Sequence, residues 1–250
     1  MASAFAGRAI LITGAGNGIG KATALHLASL GATVGVVDLR ENFVAATVAA
    51  IEAAGGAAIG ITRDLSVREA MLDAVAGFAA QAGRLDGLVN NAAWVRYQPL
   101  AEIAPETVER MLNIGFKAII WGMQAAAEAM RGPGAIVNIA SAAGLRSTPG
   151  SVVYSGIKAG VMGMTRAAAV DLGARGIRVN AIAPSAVPTE GTQRNRNAER
   201  DAKRIAQTPL GRLGTVDDMA RAITFLLSDE SVYVTGQVLS VDGGIGTSFL

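Results

Sequence analysis

The 250-residue chain sets 22 Lys and Arg against 20 Asp and Glu, a formal charge of +2 that leaves no electrostatic footprint for nucleic acid. Hydrophobic residues make up 51% and aromatics 4%, enough for a sizeable core, and no composition break argues against a single domain over 1–250. Zero cysteines exclude disulfides and thiolate metal sites, and no charge-free apolar run approaches the ~18 residues of a membrane span, so a soluble, cytoplasmic protein is expected.

In chain order, apolar strand-like runs alternate with helical patterns. Ala9–Ile12 reads as a strand, followed by glycines and a helix from about Ile19 to Leu30. Thr33–Val37 is the next strand and ends at Asp38. Asn42–Ala54 is helical and Ala57–Ile61 a short strand. Ser66 is the expected cap of a helix from Val67 to about Gln81, with Glu69 in the capping-box position. Leu85–Val89 reads as a strand, and Pro105–Met130 as one long helix with Pro105 in its first turn. Then come strand Ala135–Ala140, a helix from about Ser151 to Leu172, strand Ile177–Ile182, helix Thr215–Leu227 and strand Val238–Val241. Continuous apolar strands separated by helices predict an α/β fold, a doubly wound parallel sheet covered on both faces.

Ligands bind beyond the carboxyl ends of strands in such folds. Thr13-Gly14-Ala15-Gly16-Asn17-Gly18-Ile19-Gly20 lies there, between the first strand and the first helix. Glycines at that point allow a tight turn and close approach of backbone to a pyrophosphate, which the helix N-terminus stabilises. Asp38, ending the next strand, is placed to accept hydrogen bonds from ribose hydroxyls and to repel a 2′-phosphate. With Asn17 neutral and Leu39 apolar, NAD is favoured over NADP, although Arg40 stands nearby.

A second chemical cluster is Ser141, Tyr154 and Lys158. Tyr154 and Lys158 are spaced i, i+4 and so share one helix face. A free tyrosine titrates near ~10, and an ammonium one turn away is expected to draw the phenol toward the working range. Such a set moves a proton to or from an alcohol or carbonyl oxygen but accepts no hydride. Each member also has a plain structural role open to it: a core residue, a solvated helix charge, a cap. Their coincidence with the glycine turn and Asp38 favours chemistry.

TGAGNGIG, Asp64-Leu65, Asn90-Asn91-Ala92-Ala93, Ser141, Tyr154-Ser-Gly-Ile-Lys158 and Pro184-Ser185 together resemble the short-chain dehydrogenase/reductase family, in its branch of single-domain enzymes. The resemblance covers essentially the whole chain. It implies a Rossmann-type sheet of seven strands and reversible oxidation of an alcohol to a carbonyl with NAD(P). The family's catalytic set lands on Asn113, Ser141, Tyr154 and Lys158, with Asn113 anchoring a water that links the lysine to solvent. Cofactor contacts land on Gly14, Asn17, Gly18, Ile19, Gly20, Asp38, Leu39, Asp64, Leu65, Asn90, Ala92, Pro184, Val187 and Thr189. Three residues separate Tyr154 from Lys158, fewer than in enoyl reductases. Ala93 and Ser185 replace glycines usual in the family.

Residues after the strand ends should line the substrate pocket: Trp94, Tyr97, Ala143, Leu145, Val152, Ser185 and Val187. They are mostly apolar, which favours a hydrophobic or ring-bearing alcohol. The polar stretch Glu190–Gly211, within a lid at about 186–211, should close over the substrate. Its Arg194, Arg196, Arg200 and Arg204 offer steering of an acidic substrate, though interleaved Glu190, Glu199 and Asp201 favour a solvated face. His26 has no partner for metal or triad work. Small residues around Met162 and Met164 allow close helix contact, and the resemblance implies that this face is buried between the subunits of a homotetramer. The runner-up activity is a 3-oxoacyl-type reductase, and the non-enzyme alternative a nucleotide-binding regulatory subunit.

Overall fold

The computed structural model describes residues 4–191 and 197–247. Seven parallel strands form one sheet in the order β3-β2-β1-β4-β5-β6-β7. They are β1 Ala9–Thr13, β2 Thr33–Asp38, β3 Ala57–Thr62, β4 Gly87–Asn90, β5 Gly134–Ile139, β6 Ile177–Pro184 and β7 Val238–Val241. The order reverses between β1 and β4, which opens a crevice at their carboxyl ends.

Helices cover both faces because neighbouring strand residues point to opposite sides. Leu11 and Leu88 feed one core with α3 (Arg68–Ala82), α5 (Ala118–Ala129) and α6 (Val152–Gly173). Ile10, Ile12 and Val89 feed the other with α1 (Gly18–Ser29), α2 (Glu41–Ala53) and α8 (Val216–Leu227). Two further helices are α4 (Pro105–Leu112) and α7 (Ala198–Gln207). Among the described residues no helix is long and apolar enough to cross a membrane.

The expected helix Pro105–Met130 runs without a gap to Ala129 but contains a π-helical segment. α4 ends at Leu112, a π-helical turn spans Asn113–Lys117, and α5 continues to Ala129. A π turn inserts one residue without interrupting helical backbone angles, so the apolar pattern runs on across it. Tight contacts with α6 accompany it: a Cβ on Gly160 would lie 2.5 Å from the Phe116 ring, and one on Gly115 3.4 Å from Ile157.

The capping box expected at Ser66 and Glu69 is also absent. Val67 is the N-cap of α3 and makes no side-chain cap bond, because Asp64 takes Ser66 instead, accepting from its amide at 3.0 Å and its hydroxyl at 2.7 Å. The capping box occurs at α8, where Thr215 and Asp218 exchange side-chain to backbone bonds and Arg212 locks the carboxylate bidentately.

The suggested subunit face around Met162 is partly corrected. Met162 is buried in the core and Gly160 meets Phe116 of the same chain, while Gly163 faces open space.

Candidate active site

The glycine turn is a cradle that side chains would fill. Gly14 and Gly18 sit at φ +64° and +54°, a region that favours glycine. A Cβ on Gly14 would stand 2.9 Å from Ala92 Cα, and one on Gly20 would strike the Gly14 carbonyl. Asn91, which the sequence reading left out of the site, staples this turn. Its amide nitrogen donates to the Thr13 and Gly14 carbonyls at 2.9 and 3.0 Å, while Thr13 Oγ1 accepts from the Asn91 and Ala92 amides. Asn17 begins α1 without a side-chain cap bond, which leaves the first-turn amides to another acceptor.

Asp38 faces this cradle. One carboxylate oxygen accepts from Gly16 N at 3.1 Å and the other from Arg40 N at 3.2 Å. Arg40 turns its guanidinium onto the Phe43 ring, 3.7 Å from the centroid. Thr189 closes the opposite wall, its methyl 3.2 Å from where a Gly18 Cβ would lie. A glycine cradle, open helix amides and a carboxylate at the end of β2 suit a dinucleotide.

At the end of β5, Ser141 caps a short 3₁₀ turn, Ala142–Gly144, by accepting from Ala143 N at 3.1 Å. A Cβ on Gly144 would lie 2.8 Å from Lys158 backbone, so glycine lets this turn press against α6. Ser141 acts on the Tyr154 phenol and draws its pKa down. Lys158 is buried at 4% exposure, and its Nζ donates to the Ile139 carbonyl at 2.5 Å. Asn113 is the first residue of the π-helical turn that packs on α6.

The electrostatics correct one expectation. Burial pushes the Tyr154 phenol up to about 12, with Ser141 pulling it down and Tyr97 raising it. Burial also lowers Lys158 to about 8. The lysine does not draw the phenol down as the spacing predicts. Its ammonium lies 5.8 Å from the ring centroid and is directed at the Ile139 carbonyl.

Other predicted contacts are distributed differently from the sequence reading. Asn90 is buried at 2%, donating to Asn138 at 2.9 Å, and a Cβ on Gly122 would collide with its Oδ1. Its side chain therefore belongs to the core beneath α5, not to the cleft. Leu65 is likewise a core residue and Asp64 is engaged by Ser66, while Leu39 is exposed. Ile19 and Val187 pack on the α1/α8 core. Pro184 ends β6 beside Val241, and Ser185 turns its hydroxyl to the Asp242 carbonyl at 3.4 Å. Ala143 lies in the 3₁₀ turn, and Leu145 and Val152 are exposed. Tyr97, not Trp94, meets Tyr154: the two tyrosine rings stand edge to face with centroids 5.7 Å apart. Trp94 lies under the Arg110 guanidinium. Arg194 and Arg196 fall outside the described residues.

A cavity of about 580 Å³ lies between α1 and α8 and reaches the glycine turn through Gly18, Pro188 and Thr189. His26 lines it, lowered by burial and by Arg221. Its size does not make it the reaction centre, because it touches none of Ser141, Tyr154 and Lys158. Among the described residues no cluster of His, Cys, Asp and Glu could hold a metal ion.

Comparison with known proteins gives a consistent picture. A family model described as enoyl-(acyl carrier protein) reductase matches residues 14–246. The chain is 37% identical over 241 residues to 3-oxoacyl-[acyl-carrier-protein] reductase FabG of Thermotoga maritima, covering 96% of this chain and 98% of the relative. A short-chain type dehydrogenase/reductase from Mycobacterium ulcerans superposes with a TM-score of 0.94 at 33% identity, covering 98% of this chain and 91% of that one. A short-chain dehydrogenase from Burkholderia cenocepacia J2315, solved in complex with NADP, superposes with a TM-score of 0.91 at 34% identity, covering 96% and 98%.

The dominance of burial over the lysine charge has a direct optical consequence. In the cofactor-free protein, the phenolate absorbance lost in a Tyr154→Phe variant should appear only as the pH nears about 12. A difference signal at or below the ordinary tyrosine value of ~10 would show that Lys158 governs the phenol after all.

Proposed function

The chain belongs to the short-chain dehydrogenase/reductase family, and from that premise we propose that this oxidoreductase moves a hydride reversibly between NAD(H) and an apolar or ring-bearing secondary alcohol or ketone. The observation that carries the reading is α6, which sets Tyr154 one helical turn from the buried Lys158, whose Nζ donates to the Ile139 carbonyl at the end of β5, two residues before Ser141. A nicotinamide, when bound, supplies or accepts the hydride. In reduction Tyr154 gives its proton to the carbonyl oxygen, and in oxidation takes it back. Ser141 orients and polarises the same oxygen.

An ammonium has three donors. The Ile139 carbonyl takes one from Lys158, and the remainder serve the nicotinamide ribose. Asn113 anchors the water that passes protons between Lys158 and solvent, and the π-helical turn it opens supports this role by loosening the regular ladder of backbone bonds. Gly14, Asn17, Gly18, Ile19 and Gly20 hold the pyrophosphate by backbone, Asp38 the adenosine ribose, and Pro184, Val187 and Thr189 flank the nicotinamide carboxamide. Residues 186–211 form the substrate lid of a single nucleotide-binding domain.

A 3-oxoacyl reductase is the second reading, favoured by the name of the Thermotoga maritima relative. Asp38 weighs against it, since a carboxylate beside the ribose opposes the 2′-phosphate of NADP. The three residues between Tyr154 and Lys158 weigh against the enoyl reductase of the family model's description. A regulatory subunit without activity would have no use for the Tyr154, Ser141 and Lys158 arrangement.

Absorbance at the NADH band across a panel of secondary alcohols tests the reading. Tyr154→Phe should abolish turnover and leave NAD affinity nearly unchanged; comparable turnover in the variant would defeat the mechanism. In the same assay Asp38→Ala should relax the preference for NAD, and unaltered selectivity would remove Asp38 as discriminator. We also propose a homotetramer, supported by exposed apolar side chains on α6 (Val152, Val170) and near β7 (Val232, Tyr233, Leu239). Light scattering should give four chains per particle, and a monomer at working concentration would end that proposal.

A further inference from the structure

The lid helix α7 carries its polarity the wrong way round for an ordinary surface helix. Asp201 and Thr208 are its buried residues and Arg204 is half-buried, while Ala202, Ile205 and Ala206 face outward. A helix normally turns its apolar stripe inward and its charges to water. Here the inward row of Asp201, Arg204 and Thr208 is polar throughout. The exposed acid Glu199 is engaged by Lys203 at 2.7 Å on the outer surface and neutralises nothing on the inner one.

Arg204 is held without being saturated. Its guanidinium approaches the Asp201 carboxylate at 3.9 Å, outside hydrogen-bond distance. Elsewhere the same chain locks arginines bidentately, Arg84 to Asp86 at 2.7 and 2.7 Å and Arg212 to Asp218 at 2.6 and 2.9 Å. Arg204 makes no side-chain hydrogen bond among the described residues, so its donors remain for another acceptor. The helix is fixed at both ends. Asn197 accepts from Arg200 N at 2.9 Å, and Leu210 N donates to the Gly243 carbonyl at 3.1 Å.

The inward charges face the reaction centre through Tyr97. That ring stands edge to face against Tyr154, 5.7 Å between centroids. Desolvation raises the Tyr97 phenol, and Arg204 and then Arg200 pull it down, so both guanidiniums act on the side chain that touches the proton-transferring tyrosine. Arg204 is half-buried on the inner row, and Arg200 is exposed beside it.

We propose that the substrate carries an anionic group away from its reacting carbon, a carboxylate, sulfonate or phosphate, and that Arg204, assisted by Arg200, binds it across Tyr97. This rests on the alcohol dehydrogenase reading and narrows its substrate to an apolar or ring-bearing alcohol with an acidic end. A guanidinium with free donors suits a planar or tetrahedral oxyanion, and a half-buried site strengthens the pairing over one in open water.

The test uses matched aryl ketones that differ only in a remote substituent: carboxylate, sulfonate, phosphate or the neutral carboxamide. The readout is the ratio of kcat/KM for each anion to that for the amide, so loss of folded enzyme cancels. The wild-type ratio should exceed one by about tenfold for at least one anion and fall with added salt. The preferred arm identifies the oxyanion. Arg204→Gln should bring the ratio near one through KM, Arg204→Lys should restore part of it, and Lys203→Gln on the outer surface should leave it alone. A wild-type ratio near one for every anion, or an unchanged ratio in Arg204→Gln, overturns the proposal while dehydrogenase activity stands. No turnover of any member removes the dehydrogenase reading, and this proposal with it.

Discussion

The site depends on a buried charge. Lys158 is 4% exposed, and the hydrogen bond from its Nζ to the Ile139 carbonyl joins α6 to the end of β5. Removing an ammonium from water costs several kcal/mol, which one carbonyl does not return. The lysine answers by titrating near 8. That makes it a group able to exchange protons near neutral pH, while the same bond fixes the helix that aims Tyr154. Glycines at 144 and 160 let the 3₁₀ turn and Phe116 close on α6 around it. Alanine at either position would push apart the elements that carry Ser141 and Asn113.

Much of this was legible because it follows short-range rules. Strand and helix alternation, the glycine turn and the spacing of Tyr154 and Lys158 depend on neighbours in the chain, and they appear where the sequence places them. The π-helical turn at Asn113 was not legible, since its apolar pattern is that of an ordinary helix. The resemblance sets Asn90 at the strand end along the adenosine ribose, and because adjacent strand residues point to opposite faces its side chain turns away from the glycine turn. Asn91 holds the glycine turn, and Asn90 goes under Gly122. The same difficulty separates Tyr97 from Trp94. Both follow β4, and only the loop path decides which ring reaches Tyr154. The sign of the Tyr154 shift escaped for a different reason: spacing reports a neighbouring charge but not the water both groups lose.

The cofactor end obeys a similar economy of contacts between distant segments. Thr13 and Asn91 bind the ends of β1 and β4 to each other where the strand order reverses. Thr189, after β6, reaches the Gly18 side of the same turn. Three strand ends thus converge on one backbone loop without a charged side chain inside it. Asp38 is the acid beside it, and the amide of Gly16 holds one of its oxygens in place. Backbone dipoles suit an anion and a carboxylate suits a ribose, so the two ends of this crevice offer different chemistry to a dinucleotide.

Departures from ordinary folding rules gather in one quarter of the molecule. Away from it, α8 has a full capping box, its Arg212 and Asp218 are locked, and the strands alternate cleanly between two cores. Around Tyr154 there are a buried lysine, a π-helical turn packed on α6 and a lid helix with charge turned inward. Each lowers stability relative to a conventional alternative, and a fold selected for packing alone would not concentrate them. The cavity of about 580 Å³ behind α1 touches none of Ser141, Tyr154 and Lys158, so volume alone does not mark the part of the protein shaped by chemistry.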